Sequence, residues 1–205
     1  MSAASHCFST VLENDGSATT TQGRARREQV LQAALTAFAA HGYRGASLAS
    51  IASDVGISQP GLLHHFPTKE HLLVRVLEYH EDRNTERIQT AITNASLADA
   101  LLDLARHHET NPEFIRLFVV LAAESVDPEH PAHDWFIERY RRTRTTVRAQ
   151  VADEQHLGRM TSAIDPDTIT QLLLSVLDGL ELQHLLDTDQ VQIAAPLAAL
   201  LDILR

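Results

Sequence analysis

Between residues 47 and 66 the apolar positions fall into two short helical sets separated by a glycine. Leu48, Ile51, Ala52 and Val55 stand at i, i+3, i+4 and i+7, so four apolar groups share one face of a first helix. After Gly56 and Ile57, Ser58 is suited to an N-cap, and Leu62 and Phe66 mark the inward face of a second helix. The small Ala52 lets the two helices cross closely and the glycine permits a sharp turn, which is the layout of a helix-turn-helix. In that motif the second helix faces outward and is shaped to enter a major groove.

Upstream, Val30, Leu31, Ala34, Leu35 and Phe38 predict a helix that follows Arg24, Arg26 and Arg27 and stops at His41 and Gly42. Cations near a helix start oppose its dipole, so these arginines point either to an external anion or to a solvated charged turn. Downstream, Pro67 and Thr68 break the chain, and Thr68 caps a long helix from Lys69 to about Thr93 that carries Leu72, Leu73, Val76, Leu77, Tyr79 and His80. Further helices are predicted over about 97–109, 112–126, 132–155, 166–187 and 190–204, with proline- and glycine-bearing separators between most of them. No stretch alternates apolar and polar residues as a half-buried strand would.

The predicted fold class is therefore all-α: an N-terminal three-helix helix-turn-helix head on a helical-bundle body. Residues 1–23, rich in Ser, Thr and Ala, read as a flexible N-terminal arm, residues 24–70 as the helix-turn-helix DNA-binding domain, and residues 71–205 as a helical domain that includes the expected dimerisation face. Residues 169–186 are apolar on more than one face, with Ile169, Leu173, Val176 and Leu180 in one stripe and Leu172, Leu174, Leu177, Leu185 and Leu186 broadening it. With Leu197, Leu200, Leu201 and Leu204 on the final helix, this predicts two helices per subunit meeting two from a partner. A homodimer interface is expected at Leu173, Val176, Leu177, Leu180, Leu197 and Leu201. The other reading of the same stripe is a fully buried central helix.

Composition adds a compartment and a polarity. The 205 residues are 44% hydrophobic, yet no run of about 18 apolar residues occurs, so no membrane span is expected. The first residues lack the basic flank and apolar core of a secretory signal, and the single cysteine, Cys7, cannot form an intramolecular disulfide; a cytoplasmic protein fits. The net charge of -10 is unevenly spread. Residues 24–69 hold five basic side chains and two acidic, whereas residues 81–205 hold eleven basic and twenty-one acidic. A basic head on an acidic body presents one face to phosphates and repels them elsewhere.

The segment from Arg27 to Leu77, REQVLQAALTAFAAHGYRGASLASIASDVGISQPGLLHHFPTKEHLLVRVL, closely resembles the DNA-binding head of the tetracycline-repressor (TetR) family of bacterial regulators. The likeness lies in AA..AF...GY, a Ser or Thr at the second helix cap, IA...G(V/I)S and L..HF.(S/T)KE.L, with a weaker echo in the pair Asp178 and Gly179. The resemblance implies an α-helical homodimer whose heads bind a palindromic operator in double-stranded DNA and whose body binds a small-molecule effector, with no cofactor. It puts Gln59, Pro60 and Gly61 at or beside base edges, where Gln has the amide geometry for adenine and Pro60 offers apolar contact to a thymine methyl. It puts Ser47, Ser58, His65 and Lys69, the only lysine in the chain, at phosphates, with Leu63 and His64 in the same helix. Leu63 stands where the family most often has Tyr, and Ala49 where many members carry a polar group, so operator affinity is expected to be modest or the operator unusual.

An effector pocket is expected between the long fourth helix and residues 97–155, with Phe114, Phe118, Trp135, Phe136 and Tyr140 as aromatic candidates and His107, His108 or Glu124 as polar anchors. Twelve histidines raise the question of a metal. Adjacent pairs such as His64–His65 and His107–His108 point about 100° apart on a helix, and the cluster at His130, His133 and Asp134 has no CxxC or HExxH beside it, so no metal site is expected. No nucleophile motif, phosphate-cradling glycine loop or carboxylate pair supports a helical-bundle enzyme. The competing reading is a helical interaction module or ligand-binding protein that has lost DNA binding.

Overall fold

Ser58 Oγ accepts a hydrogen bond from the Gly61 amide at 3.2 Å and Thr68 Oγ1 one from the His71 amide at 3.1 Å, so the predicted caps start their helices. The computed structural model describes residues 21–94 and 96–205, and their side chains except at 21, 22, 83–94 and 114. The expected arm lies outside the described residues up to residue 20. Among those described there are nine α-helices and no strand: α1 (Thr21–Gly45), α2 (Leu48–Asp54), α3 (Gln59–His65), α4 (Lys69–Asn94), α5 (Leu97–Thr110), α6 (Pro112–Glu124), α7 (His133–His156), α8 (Pro166–Leu186) and α9 (Ala194–Ile203).

Two apolar cores hold these helices. One joins Val30, Phe38, Ile51, Leu62, Phe66, Leu72 and Val76 of the head and α4 to Leu117, Leu121 and Phe136 of the body. The head is therefore seated on α6 and α7. The second core lies wholly in the body, where Leu97, Leu104, Ile115, Val151, Ile169, Leu173, Leu197, Leu201 and Leu204 meet.

Two helix limits differ from the sequence pattern for identifiable reasons. Gly42, at φ 66°, interrupts α1 instead of ending it, and a last turn continues to Gly45. Helix α9 starts at Ala194 and not near residue 190, because Glu109 of α5 accepts hydrogen bonds from the amides of Ile193 and Ala194 at 2.6 and 2.8 Å. Its cap comes from another helix, which no local pattern reveals.

The six residues expected at a dimer interface divide. Leu173, Leu177, Leu197 and Leu201 are at most 8% exposed, packed where α5, α8 and α9 meet within one chain, whereas Val176 and Leu180 are half-buried. The apolar side chains of α8 and α9 that stay exposed are Leu172 (41%), Leu182 (48%), Leu186 (79%) and Ile203 (78%). Four of the six residues expected at the interface are thus covered within the chain by contacts among α5, α8 and α9, which are tertiary and carry no mark in the hydropathy of α8 alone.

Candidate nucleic-acid interface

The turn before α3 is closed from both sides. The Gly56 amide donates to the Ser53 carbonyl and the Ile57 amide to the Ala52 carbonyl, each at 3.0 Å, an arrangement that needs the left-handed Gly56 at φ 68°. Arg26 Nη1 donates to the Val55 carbonyl at 2.9 Å and pins the same turn to α1. The guanidinium of Arg27 lies 5.0 Å from the Phe66 ring centroid. Two of the three arginines, for which the sequence leaves an external anion or a solvated charged turn as alternatives, thus brace the head itself, while Arg24 is exposed.

With Leu62 and Phe66 buried, α3 presents Ser58, Gln59, Pro60 and His64 on its exposed side, with Gly61, Leu63 and His65 half-buried. The rings of His64 and His65 lie 5.6 Å apart at the end of the helix. Ser47 sits at the start of α2, where its hydroxyl accepts a long 3.5 Å bond from the Ser50 amide. Pro60 occupies the first turn of α3, where its missing donor costs nothing.

Lys69 begins α4, and its ammonium donates to the Arg44 carbonyl at 3.3 Å from a seat 4.7 Å above the Tyr43 ring. The Tyr43 hydroxyl donates to Glu70 Oε1 at 2.5 Å. Burial pushes the phenol well above its usual range with help from Glu70, and the phenol hydrogen bond in turn lowers the Glu70 carboxyl. In the motif Tyr43 is only the second member of the GY pair; its place as the platform under Lys69 depends on α4 returning to the end of α1.

Of the side chains expected at an effector pocket, Phe118, Trp135, Phe136 and Tyr140 come together in or against the core that joins head and body. Phe118 packs against Trp135 and Phe136 at centroid distances of 6.0 and 6.1 Å, and the Tyr140 hydroxyl donates to Asp178 at 2.9 Å. The side chain of Phe114 lies outside the described residues. His107 instead lines a cleft of about 820 Å³ between α1, α4 and the α5–α6 corner, walled by Leu35, Ala39, Tyr79, Asn111 and Arg116. The histidines at 130 and 133 frame a loop: His130 Nδ1 accepts from the Ala132 amide at 3.2 Å, and His133 Nδ1 donates to the Ser125 carbonyl at 2.8 Å.

The helix-turn-helix over residues 30–76 matches the model of the tetR family of bacterial regulatory proteins, and residues 93–205 match the C-terminal region of BetI-type transcriptional repressors. The chain belongs to the TetR family. It is similar to the HTH-type transcriptional repressor AcnR of Corynebacterium diphtheriae, 27% identical over 75% of this chain and 78% of that one. It is also similar to the HTH-type transcriptional regulator PksA of Bacillus subtilis, 28% identical over 81% of this chain and 82% of the other. The same fold occurs in a putative transcriptional regulator from Saccharomonospora viridis in complex with choline, with TM-score 0.73, 21% identity and coverage of 88% and 95%. This TetR-family protein is a DNA-binding transcriptional regulator. Among the described residues no helix is long and apolar enough to cross a membrane.

Proposed function

We propose that the protein is a cytoplasmic, homodimeric repressor that grips a palindromic operator with two heads and leaves it when a small molecule binds. The observation that carries this reading is the exposed polar edge of α3, Ser58, Gln59, Pro60 and His64, held outward by a braced turn. Gln59 and Pro60 read base edges with Gly61 beside them, Ser47, Ser58, His65 and Lys69 fix the head on phosphates, and Leu63 and His64 complete the surface.

Dimerisation uses the exposed stripe of α8. Leu172, Val176, Gly179, Leu182 and Leu186 repeat at intervals of three and four, and a β-carbon at Gly179 would meet nothing within 4 Å in the single chain. The glycine leaves room for a partner helix to approach. Two-fold symmetry then spaces the recognition helices for half-sites about 34 to 36 Å apart.

The cleft between α1, α4, α5 and α6 is the effector site favoured by its size and position, since an occupant touches the head through α1 and the body through α5 and α6. The choline-bound neighbour supports a small-molecule ligand for this fold. DNA and effector then oppose each other through reciprocal coupling. Selection from random duplexes, followed by a gel shift on the promoter beside its own gene, tests the reading. Failure to form any sequence-preferring, salt-dependent complex would end it.

A further inference from the structure

Where α1 kinks, a carboxylate of the body takes a backbone amide of the head. Gly42 lies in the left-handed region at φ 66°, and beyond it a last turn, Tyr43 to Gly45, closes with the Ala46 amide on the Gly42 carbonyl at 3.3 Å. The Tyr43 amide, at the start of that turn, donates at 2.7 Å to Oε2 of Glu124, the last residue of α6. A β-carbon at Gly42 would overlap Glu124 Oε1, so only a glycine leaves room for the carboxylate.

The same turn carries the seat of Lys69. The ammonium donates to the Arg44 carbonyl at 3.3 Å and lies 4.7 Å from the centroid of the Tyr43 ring. That ring is fixed on its other sides: Phe38 stacks on it at 6.3 Å, His130 of the α6–α7 corner meets it edge-on at 5.2 Å, and its hydroxyl donates to Glu70. Tyr43 thus has its amide on the body and its ring under the one lysine of the chain. The Arg44 carbonyl follows Tyr43 directly in the turn, so displacing the Tyr43 amide disturbs both supports of the ammonium.

We propose that Glu124 is a positioning residue for DNA binding: by holding the Tyr43 amide it sets where the Lys69 ammonium stands. The proposal rests on the reading of Lys69 as a phosphate contact. A lysine side chain that is already seated has less rotamer freedom to lose when it meets a phosphate than one that swings freely. An ammonium has three hydrogens, so the bond to the Arg44 carbonyl leaves two for phosphate oxygens. The action of Glu124 on DNA passes through the Tyr43 to Gly45 turn.

The test uses Lys69→Ala, Glu124→Ala, Glu124→Gln and Gly42→Ala in the full-length protein, with affinity for the selected operator and for a random duplex measured by anisotropy over a range of salt. Lys69→Ala should flatten the slope of log affinity against log salt by about one unit. Glu124→Ala should weaken both complexes several-fold and flatten the slope in the same direction. Glu124→Gln, whose amide oxygen still accepts the Tyr43 hydrogen, should bind as the wild type does. Gly42→Ala expels the carboxylate from the other side and should reproduce the Glu124→Ala defect, which keeps the test open if Glu124→Ala does not fold; helical circular dichroism checks each variant. In the Lys69→Ala background, Glu124→Ala should cost less than about a further twofold. A flattened slope in Lys69→Ala beside wild-type slopes in Glu124→Ala and Gly42→Ala would overturn the proposal. So would a fully additive loss in the double variant, or a Glu124→Gln protein as weak as Glu124→Ala. A wild-type slope in Lys69→Ala itself would instead defeat the reading of Lys69, and the proposal with it.

Discussion

Glu109 and Ile193 are 84 positions apart, yet one carboxylate oxygen of the first takes the amide hydrogen of the second at 2.6 Å and that of Ala194 at 2.8 Å. Ile193 provides no side-chain cap of its own, so α5 supplies the start of α9. Glu109→Ala should destabilise the fold by about 1 to 2 kcal/mol, the usual worth of a helix cap, with Glu109→Gln recovering much of it. Urea unfolding followed by circular dichroism measures both. Equal stability of the alanine variant and the wild type would show that water replaces the carboxylate.

Glu154 performs a similar task at the other end of the body core. Its carboxylate pairs in two bonds of 2.7 Å with Arg159 and accepts the Leu97 amide at 3.4 Å. The Arg159 hydrogen bonds lead the causes that lower the Glu154 carboxyl, against the opposing effect of burial. A carboxyl lower in the folded than in the unfolded chain contributes stability above the unfolded value of about 4.3, and loses it as the pH falls toward the folded value. Between pH 5 and 3, Glu154→Gln should therefore show a shallower decline in stability than the wild type, by at most about 1.4 kcal/mol per pH unit, the slope for one proton. Identical slopes would mean that the pairing with Arg159 adds nothing.

The two faces of α8 and α9 make opposite predictions. Leu201 is 2% exposed inside one chain, so Leu201→Ala should cost about 2 to 5 kcal/mol of stability and leave a dimer at concentrations well above its dissociation constant. Leu182 is 48% exposed on the unpaired stripe, so Leu182→Arg should change stability of an isolated protomer little while shifting sedimentation from dimer to monomer. A dimeric Leu182→Arg variant together with a monomeric Leu201→Ala variant would return the interface to the stripe first read from the sequence.

That contrast marks how far the sequence reaches. The head was legible almost residue by residue, because Ser47, Ser58, Gly56 and Thr68 act on neighbours three or four positions away. The body was legible as helices and not as faces. Whether Leu173 or Leu172 meets solvent depends on where α5 and α9 pack, and Glu109 capping α9 or Glu124 gripping Tyr43 joins residues more than 80 positions apart. The aromatic candidates Phe118, Trp135 and Phe136 are packed together, whereas the cleft borrows a wall from α1 that no reading of the body alone supplies.

In the proposed interface, Lys69 would position the head and Gln59 would read sequence. The Lys69 ammonium is held by the Arg44 carbonyl and the Tyr43 ring at the start of α4, the end of the helix whose dipole favours an anion. Lys69→Ala should weaken binding to operator and random duplex alike and flatten the dependence of log affinity on log salt by about one unit per phosphate released. Gln59 is exposed at the first position of α3, where an amide suits adenine, so Gln59→Ala should leave that slope alone and relax preference at one base pair per half-site by about 1 to 3 kcal/mol. Anisotropy titrations over a range of salt, on the selected operator and its single-base variants, distinguish the two. If Lys69→Ala altered base preference and left the slope unchanged, the ammonium would be reading sequence, and the division of labour proposed for this head would be reversed.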